Sequence, residues 1–227
     1  KYVLLPGDPG RTDLIARFLD NPKLVAYNRE HKTWTGYLDG EMVSVTSTGM
    51  GGPSAAICLE ELIHAGAETF IRVGTCGRIC EESYNKKYEG VVITGAIRHE
   101  GTTVQYIPIE YPAMADRHVT EALVQSAEEQ GFCFAEGVAQ CKDSFYGQHD
   151  PDSMPNGFML KSYWEAWEKA GVMASEMESA TVFIVSAIRG KRAGALMDYE
   201  HMNENTIKTA IGAIKKLIKL DRMQSEK

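Results

Sequence analysis

Thr69-Phe-Ile-Arg-Val-Gly-Thr-Cys-Gly77 is a short apolar run that ends in a glycine-containing turn. Its β-branched and aromatic residues predict a buried strand, and Gly74 and Gly77 let the backbone turn tightly where the strand ends. Arg72 stands inside that strand, and because an unpaired buried guanidinium is costly, it needs an acid or a bound anion. Backbone N–H groups and the Thr75 hydroxyl converge at the turn, and phosphate suits such a set of donors. A structural arginine paired with a core carboxylate explains this stretch equally well.

The beginning of the chain repeats the arrangement. Residues 1–5 are apolar enough for a strand, Gly7 and Gly10 follow, and Arg11 supplies a second guanidinium. Apolar residues at helical spacing come next, at Leu14, Ile15, Phe18 and Leu19. In open α/β sheets, ligands collect at the carboxyl ends of the strands, so both turns can face one pocket. The second turn therefore favours a bound anion over a purely structural arginine.

The length and charge of the chain limit its class. A length of 227 residues fits one large domain, and no change of composition divides it, so we expect a single domain over residues 1–227. The 31 acidic and 24 basic residues give a net charge of −7, and no basic patch indicates nucleic acid or an anionic membrane as a partner. No apolar run approaches the roughly 20 residues of a membrane-spanning helix.

The cysteines indicate a reducing compartment. There are five of them, an odd number without any Cys-x-x-Cys pair, in a chain too large to need disulfides. We therefore expect reduced thiols and a cytoplasmic protein. Cys76 and Cys80 resemble half of a metal site, but no second pair of ligands accompanies them, so no metal is predicted.

Short β-rich runs alternate with longer helical patterns along the chain. This alternation predicts an α/β domain with helices on both faces of a sheet. Residues 81–89 are polar and predict an exposed excursion, whereas 150–157 are rich in turn formers. Strands are predicted at 43–47, 69–73, 91–97 and 135–141, and helices at 53–63, 115–130, 162–170, 178–188 and 204–220.

A third unusual stretch, Ser175-Glu-Met-Glu-Ser-Ala180, places two carboxylates where a strand hands over to an apolar helix. We expect one of Glu176 and Glu178 to face a pocket and the other to face a structural partner. A carboxylate suits a ribose diol because it can accept from both hydroxyls. An ordinary helix N-terminus, where acids are favoured by the helix dipole, is the simpler explanation of this stretch alone.

Taken together and in order, these motifs resemble the nucleoside phosphorylase superfamily, and within it the bacterial uridine phosphorylase family most closely. The resemblance extends from the first residue to about Met197 and resumes in the last helix. It implies a three-layer α/β/α sandwich with a mixed central sheet. The motifs that carry it are Pro6-Gly-Asp-Pro-Gly-Arg11, Asn28-Arg-Glu30, Thr48-Gly-Met-Gly-Gly-Pro-Ser54, Ile71-Arg-Val-Gly-Thr-Cys-Gly77, Asp143-Ser-Phe-Tyr-Gly-Gln148 and Ser175-Glu-Met-Glu-Ser-Ala180.

The resemblance also implies a reaction and a set of site residues. The reaction is the reversible phosphorolysis of uridine to uracil and ribose 1-phosphate, with phosphate as a co-substrate and no bound cofactor. It belongs to pyrimidine nucleoside salvage and catabolism. Arg72, Gln148 and Glu178 are the expected catalytic residues. The substrate-binding positions implied by the family are Gly7, Arg11, Arg72 and Thr75 for phosphate, Arg29 from a neighbouring subunit, Glu178 and Met177 for the ribose, and Phe145 and Gln148 for the base.

The sequence departs from this family in two places that bear on the site. Many uridine phosphorylases carry Gln-x-Arg in the base loop, whereas here Gln148 is followed by His149, which either replaces the arginine as a donor or is an ordinary loop residue. After Met197 the family continues through a further strand and a loop over the base, whereas here Asp198 follows at once. We therefore expect a segment to be missing between residues 197 and 198.

Three other functions remain open at this point. A purine nucleoside phosphorylase shares the phosphate and ribose residues, but it recognises the base with an acid on a loop. A nucleosidase uses water instead of phosphate, so Arg11, Arg29 and Arg72 would have no anion to bind. A non-catalytic nucleoside or phosphate sensor could keep the same pocket. Because Arg29 is expected from another chain, the protein should be at least a dimer, and the family suggests a hexamer.

Overall fold

The computed structural model describes residues 1–85 and 88–225, and its described strands form one sheet. The strands are β1 (Tyr2–Leu5), β2 (Asp20–Asn28), β3 (His31–Leu38), β4 (Glu41–Thr46), β5 (Thr69–Thr75), β6 (Gly77–Arg78), β7 (Gly90–His99), β8 (Ala113–Met114), β9 (Phe134–Lys142), β10 (Ala174–Glu176) and β11 (Arg192–Asp198). Their order is β2-β3-β4-β1-β5-β11-β7-β9-β10-β6, and β8 pairs with β7.

The helices connect these strands. They are α1 (Pro9–Ala16), α2 (Gly52–His64), α3 (Arg117–Glu129), α4 (Phe145–His149), α5 (Gly157–Lys169), α6 (Ser179–Ile188) and α7 (Glu204–Ser225). Local sequence explains their ends. Asp116 caps α3 by accepting a hydrogen bond from the Val119 N–H (3.0 Å), and Gly131 follows α3 with a φ of 65°, a conformation that suits glycine.

Helices cover both faces of the sheet. One buried apolar cluster joins the sheet to α2 and α6, and a second joins the opposite face to α1, α3 and α7. The sheet is mixed, because β1, β4, β5 and β11 run parallel while β7 runs antiparallel to β11. The predicted three-layer α/β/α sandwich with a mixed central sheet is confirmed.

The strand order positions the glycine turns noted in the sequence. β1 and β5 are parallel neighbours in which Leu5 pairs with Arg72, so the turns after both strands lie side by side. β9 and β10 are also parallel neighbours, and Ser175 pairs with Gln140. The carboxyl ends of these four strands therefore carry most of the side chains considered below.

The hairpin of β2 and β3 does not appear among the predicted elements. All nine residues of β2 are exposed, so the strand lacks the alternation of buried and exposed side chains by which a half-buried strand is recognised. Pro22 within it is consistent with the position of β2 at the edge of the sheet. The hairpin turns at Arg29, whose φ is 53°.

Two other regions relate to predictions made above. Within the predicted excursion at 81–89, a 3-10 turn spans Glu81–Tyr84, and residues 86–87 lie outside the described part of the chain. β11 continues without interruption through residues 197 and 198. The expectation that a segment is missing there stays a prediction.

The last helix is anchored to the amino-terminal ends of the central strands. Arg192 donates to both carboxylate oxygens of Asp221 at 2.8 Å, and the Tyr2 hydroxyl donates to Asp221 Oδ2 at 2.6 Å. Burial raises the pKa of Asp221, but the hydrogen bonds from Arg192 and Tyr2 outweigh it and bring the pKa to about 2. This ion pair lies at the amino-terminal ends of the central strands, whereas the residues of the site lie at their carboxyl ends.

Candidate active site

A cavity of about 580 Å³ opens where β1 and β5 end. Gly7, Arg11, Arg72 and Thr75 all line it, so the fold brings together the four positions that the sequence suggested for phosphate. Gly7 lies close to a second loop and to Arg72, since a Cβ there would meet the Gly49 carbonyl oxygen at 3.4 Å and Arg72 Nη1 at 3.9 Å, both ordinary contact distances. The backbone N–H of Gly49 donates to the Gly7 carbonyl at 3.0 Å and ties the loops together.

Arg72 is only 5% exposed, and its guanidinium is partly paired. Nε donates to Glu176 Oε2 at 3.1 Å, Nη2 pairs with Glu178 Oε2, and Nη1 is buried without a hydrogen-bond partner among the described residues. Burial lowers the pKa of Arg72, but the Glu178 and Glu176 carboxylates raise it by more, so the guanidinium stays charged. Arg72 therefore combines the two roles that the sequence suggested: it pairs with core carboxylates, and one of its nitrogens remains for an anion.

Glu176 and Glu178 have different surroundings. Glu176 ends β10, and its carboxylate accepts from the backbone N–H groups of Glu178 and Ser179, each at 2.9 Å. Glu178 Oε1 accepts from the backbone N–H of Gly51 at 2.6 Å, at the start of α2. Burial raises the pKa of the Glu178 carboxyl above its ordinary value, although Arg72 opposes the shift. Met177, between the two acids, is half-buried.

A second cavity, of about 420 Å³, lies beside α4 and α5. Half-buried Gln148 lines it, as do two buried polar side chains, Gln140 and Lys142. The Ser175 hydroxyl lies 2.6 Å from Gln140 Oε1 and 2.6 Å from Gln148 Oε1. His99, Trp164 and Trp167 supply aromatic walls. Polar groups with aromatic walls suit a flat heterocycle with carbonyl oxygens.

Lys142 was missed by the sequence reasoning. It is 5% exposed, and its Nζ donates to Ser175 Oγ at 2.6 Å. Burial lowers the pKa of its ammonium, and the Glu176 carboxylate opposes the shift. The signal was available, since a lysine follows the apolar run 135–141 much as Arg72 interrupts another. The predicted strand stopped at Cys141, whereas β9 extends to Lys142 and carries it inside.

Five positions expected near substrate do not line the first cavity, namely Arg29, Phe145, Gln148, Met177 and Glu178. Phe145 is half-exposed on α4, where its ring lies 4.2 Å from that of His149. Burial lowers the pKa of His149, and so does the nearby charge of Lys142. Arg29 is exposed at the β2–β3 turn, while its neighbour Glu30 does line the cavity. Gln148 lines the second cavity rather than the first.

β11 ends in an acid, Asp198, which lines neither of the two cavities. Asp198 is buried, and its Oδ2 accepts from Thr206 Oγ1 at 2.9 Å and from Asn203 Nδ2 at 3.0 Å. Its Oδ1 accepts from the backbone N–H of Glu200 at 3.0 Å. This carboxylate is therefore committed to the start of α7.

Within residues 1–85 and 88–225, no three His, Cys, Asp or Glu side chains are grouped so that they could hold a metal ion. None of the helices in that part of the chain has the length and apolar character needed to cross a membrane.

With this fold and these cavities, the chain belongs to the phosphorylase superfamily, whose family model matches residues 1–210. The uridine phosphorylase of Treponema pallidum is 46% identical over 97% of this chain and 90% of its own length. The uridine phosphorylase of Escherichia coli is 41% identical over 85% of this chain and 76% of its own length. The guanosine phosphorylase of Halorubrum lacusprofundi is also 41% identical, over 86% of this chain and 76% of its own length.

Proposed function

We propose that this chain is a uridine phosphorylase, a pentosyltransferase that moves the ribosyl group of uridine from uracil to inorganic phosphate. The observation that carries the proposal is Nη1 of buried Arg72, which has no hydrogen-bond partner among the described residues, beside a cavity that Arg72 lines together with Arg11 and Thr75. Water would not need that set of donors, whereas phosphate does. The similarity to uridine phosphorylases at 41–46% identity supports the same conclusion.

Phosphate is the nucleophile in this reaction. Its oxygen forms a bond to C1′ of the ribose as the bond from C1′ to N1 of uracil breaks, and uracil leaves with the bonding electrons and takes up a proton. Arg11 and Arg72 orient the phosphate and keep it ionised, and Thr75 donates or accepts at its edge. The phosphate charge also stabilises the positive ribosyl centre of the transition state.

Glu178 holds the ribose in this proposal. Its Oε1 accepts from the Gly51 N–H and its Oε2 from Arg72, so one acceptor position on each oxygen remains for the 2′ and 3′ hydroxyls. Met177 packs against the sugar. The arrangement favours ribosides over deoxyribosides, because a deoxyriboside offers one hydroxyl fewer.

The uracil end is assigned to the second cavity. Gln148 has both a donor and an acceptor for the edge of the base, and Phe145 covers its face. We add Lys142 to the expected residues, because a buried ammonium next to Gln148 and Ser175 stabilises negative charge on the departing base.

A second candidate is a guanosine or other purine nucleoside phosphorylase, which the similarity to the Halorubrum lacusprofundi protein favours. Gln148 in its Phe145-Tyr-Gly-Gln148 setting, which resembles the uridine phosphorylases, argues against it.

Absorbance assays of uridine, inosine and guanosine cleavage, each with and without phosphate, test these functions. Phosphate-dependent release of uracil, with both purine nucleosides inert, is the expected result. Phosphate-dependent cleavage of a purine nucleoside alone would overturn the base assignment. Cleavage without phosphate would indicate a nucleosidase, and binding without any turnover would indicate a sensor.

The complete site is proposed to need a second copy of the chain. Arg29 is exposed at a hairpin whose Leu24, Val25 and Tyr27 side chains are also exposed, and these apolar groups support burial against a neighbour. Each copy would then supply Arg29 to the cavity of its partner, and three such dimers would form the hexamer suggested by the family.

Subunit mixing tests this sharing. Arg29→Ala and Arg72→Ala are each expected to be inactive, but a mixed dimer has one site with both wild-type arginines. Activity should therefore return when the two variants are unfolded and refolded together. Absence of any recovery in mixed oligomers that are verified by mass would contradict a shared site.

The remaining features follow from the same proposal. The reaction requires no cofactor or metal, residues 1–227 act as one domain, and a missing segment between 197 and 198 would cover the base. A role in pyrimidine nucleoside salvage in the cytoplasm is consistent with the reduced cysteines, which are all free.

A further inference from the structure

Glu176 is a buried carboxylate that lines neither cavity, yet it contacts the residues assigned to both phosphate and ribose. It is 4% exposed, and it accepts from the Arg72 side chain at 3.1 Å and from the Glu178 backbone at 2.9 Å. Two hydrogen bonds from the Ser179 N–H, each at 2.9 Å, hold the carboxylate at the start of α6. The position of Glu176 is therefore set by backbone rather than by flexible side chains.

These contacts close a ring. Arg72 joins the Glu176 carboxylate through Nε and the Glu178 carboxylate through Nη2, and the Glu178 backbone returns to Glu176. A guanidinium is planar and rigid, so fixing two of its nitrogens fixes the third. The ring thus fixes Nη1 of Arg72, which lies next to Gly7, in the wall of the cavity that Arg72 lines together with Gly7 and Thr75.

The ring also couples the electrostatics of the phosphate-binding residue Arg72 to those of the ribose-binding residue Glu178. Arg72 is paired with two carboxylates, of which one, Glu178, must also accept hydrogen bonds from the ribose. An anion that binds Nη1 draws on the positive charge of Arg72 and weakens its hold on Glu178, so Glu178 becomes a better acceptor for sugar hydroxyls. Glu176 keeps the guanidinium in place while this happens.

We propose that Glu176 is a positioning residue that holds Arg72 and Glu178 in one frame, so that binding of a tetrahedral oxyanion tightens binding of the nucleoside. The inference rests on the proposed function for the identity of the ligands. It differs from that proposal in assigning a coupling between the two ligands, and it assigns the coupling to a residue that touches neither of them.

The wild-type protein provides the first test, with sulfate as an unreactive anion. Uridine binding is measured by calorimetry without sulfate and at saturating sulfate. The dissociation constant for uridine should fall at least threefold, and by linkage, uridine should lower the dissociation constant for sulfate by the same factor. An unchanged or weakened affinity for uridine would overturn the proposal. If uridine binds but no uracil is released when phosphate replaces sulfate, the proposed function is contradicted instead.

Glu176→Gln provides the second test. The amide keeps the size of the side chain, but it loses the charge and places a donor against backbone N–H groups. The KM values for phosphate and uridine should both rise at least fivefold, and the sulfate effect on uridine binding should fall below twofold. Glu176→Asp keeps the charge but withdraws it by one methylene, and it should restore part of the coupling.

A merely structural role predicts a different result. A folded Glu176→Gln protein with a lowered melting temperature but wild-type KM values and wild-type coupling would overturn the proposal, as would a change confined to one KM. If Glu176→Gln does not fold, the wild-type sulfate measurement still decides, because it needs no variant.

Discussion

The phosphate end and the base end of this molecule are built differently. At the phosphate end, Arg72 lies in a central strand and is fixed by two buried carboxylates. At the base end, Gln148 and Phe145 lie on α4, a helix of five residues, and Phe145 is half-exposed. A central strand and buried ion pairs fix the side chains of the phosphate end, whereas a short surface helix carries the side chains of the base end. The phosphate end should therefore be intolerant of change, and the base end should tolerate it except at Lys142.

The largest effect is expected at Arg72. Arg72→Ala removes the anion donor and leaves two buried carboxylates without their partner, which costs about 3–5 kcal/mol of folding free energy if both stay charged. Phosphorolysis should fall by about 10²–10³-fold or more in kcat, as for loss of a main transition-state donor. Steady-state kinetics at varied phosphate, with urea denaturation in parallel, measure both effects.

Arg98→Ala is a matched control for that prediction. Arg98 is also a buried arginine on a strand, but it donates to backbone carbonyls of a surface loop, including those of Pro108 and Tyr111. It should lose stability without a specific rise in the KM for phosphate. Equal kinetic losses in both variants would remove the distinction between the two arginines.

The next effect is expected at Lys142. Lys142→Met should lower kcat for uridine by about 10–100-fold, because the ammonium stabilises the charge on the leaving base. With 5-fluorouridine, whose base is a better leaving group, the loss should be smaller. An equal loss with both nucleosides would mean that Lys142 acts only in packing.

The pH dependence of kcat sharpens the same point. Because burial lowers the pKa of Lys142, the charge is lost at a lower pH than in an ordinary lysine, and activity should decline as the pH rises through that value. Lys142→Met should lack this alkaline decline. Since the nucleoside titrates identically in both assays, the difference between the profiles belongs to the enzyme.

A smaller effect, away from both ends, is expected at Asp221. Its pKa of about 2 lies below the ordinary 3.8, so its contribution to stability is present above pH 4 and is lost as the pH falls toward 2. After allowance for screening by solvent, the shift corresponds to about 1 kcal/mol of stability. Asp221→Asn should reduce the free energy of unfolding at pH 5 by that amount and make the protein less sensitive to acid between pH 4 and 2.

Denaturation curves at several pH values measure this effect, and kinetics at neutral pH provide the control. Because Asp221 lies at the amino-terminal ends of the central strands, away from the site at their carboxyl ends, the KM values for phosphate and for uridine should both remain within twofold of wild type. A rise in the KM for phosphate alone would show that stability and the phosphate end are not separable.

The smallest effect is expected at Phe145. Phe145→Ala removes a half-exposed ring whose described ring contacts are to Tyr146 and His149, so the melting temperature should change little. The KM for uridine should rise about threefold with kcat nearly unchanged, as for loss of binding shared by ground and transition states. A fall of more than tenfold in kcat would place the base end among the rigid parts of the site.

The sequence was informative where a charged residue interrupts an apolar strand. Arg72 was recognised in this way, and the glycine turns after β1 and β5 placed it next to Arg11. Lys142 gives the same signal but was assigned to a loop, because strand ends are the least certain part of a pattern. Glu176 ends β10 and Glu178 lies two residues further on, and both carboxylates contact Arg72, so the predicted division into one pocket residue and one structural residue depends on tertiary contacts that the sequence does not show.

The β2–β3 hairpin marks the other limit of prediction. An edge strand that is exposed on every residue shows no alternation, so periodicity carries no information about it. The same exposure leaves Arg29 outside the cavity of its own chain.

The position of β11 has a consequence for synthesis of the protein. It is the last strand in the chain, yet it lies between β5 and β7 in the middle of the sheet. Until residue 198 has left the ribosome, the facing edges of β5 and β7 have no partner, and such edges are prone to join other chains. A nascent chain stalled before β11 should therefore depend on chaperones, whereas one that has released α7 should not.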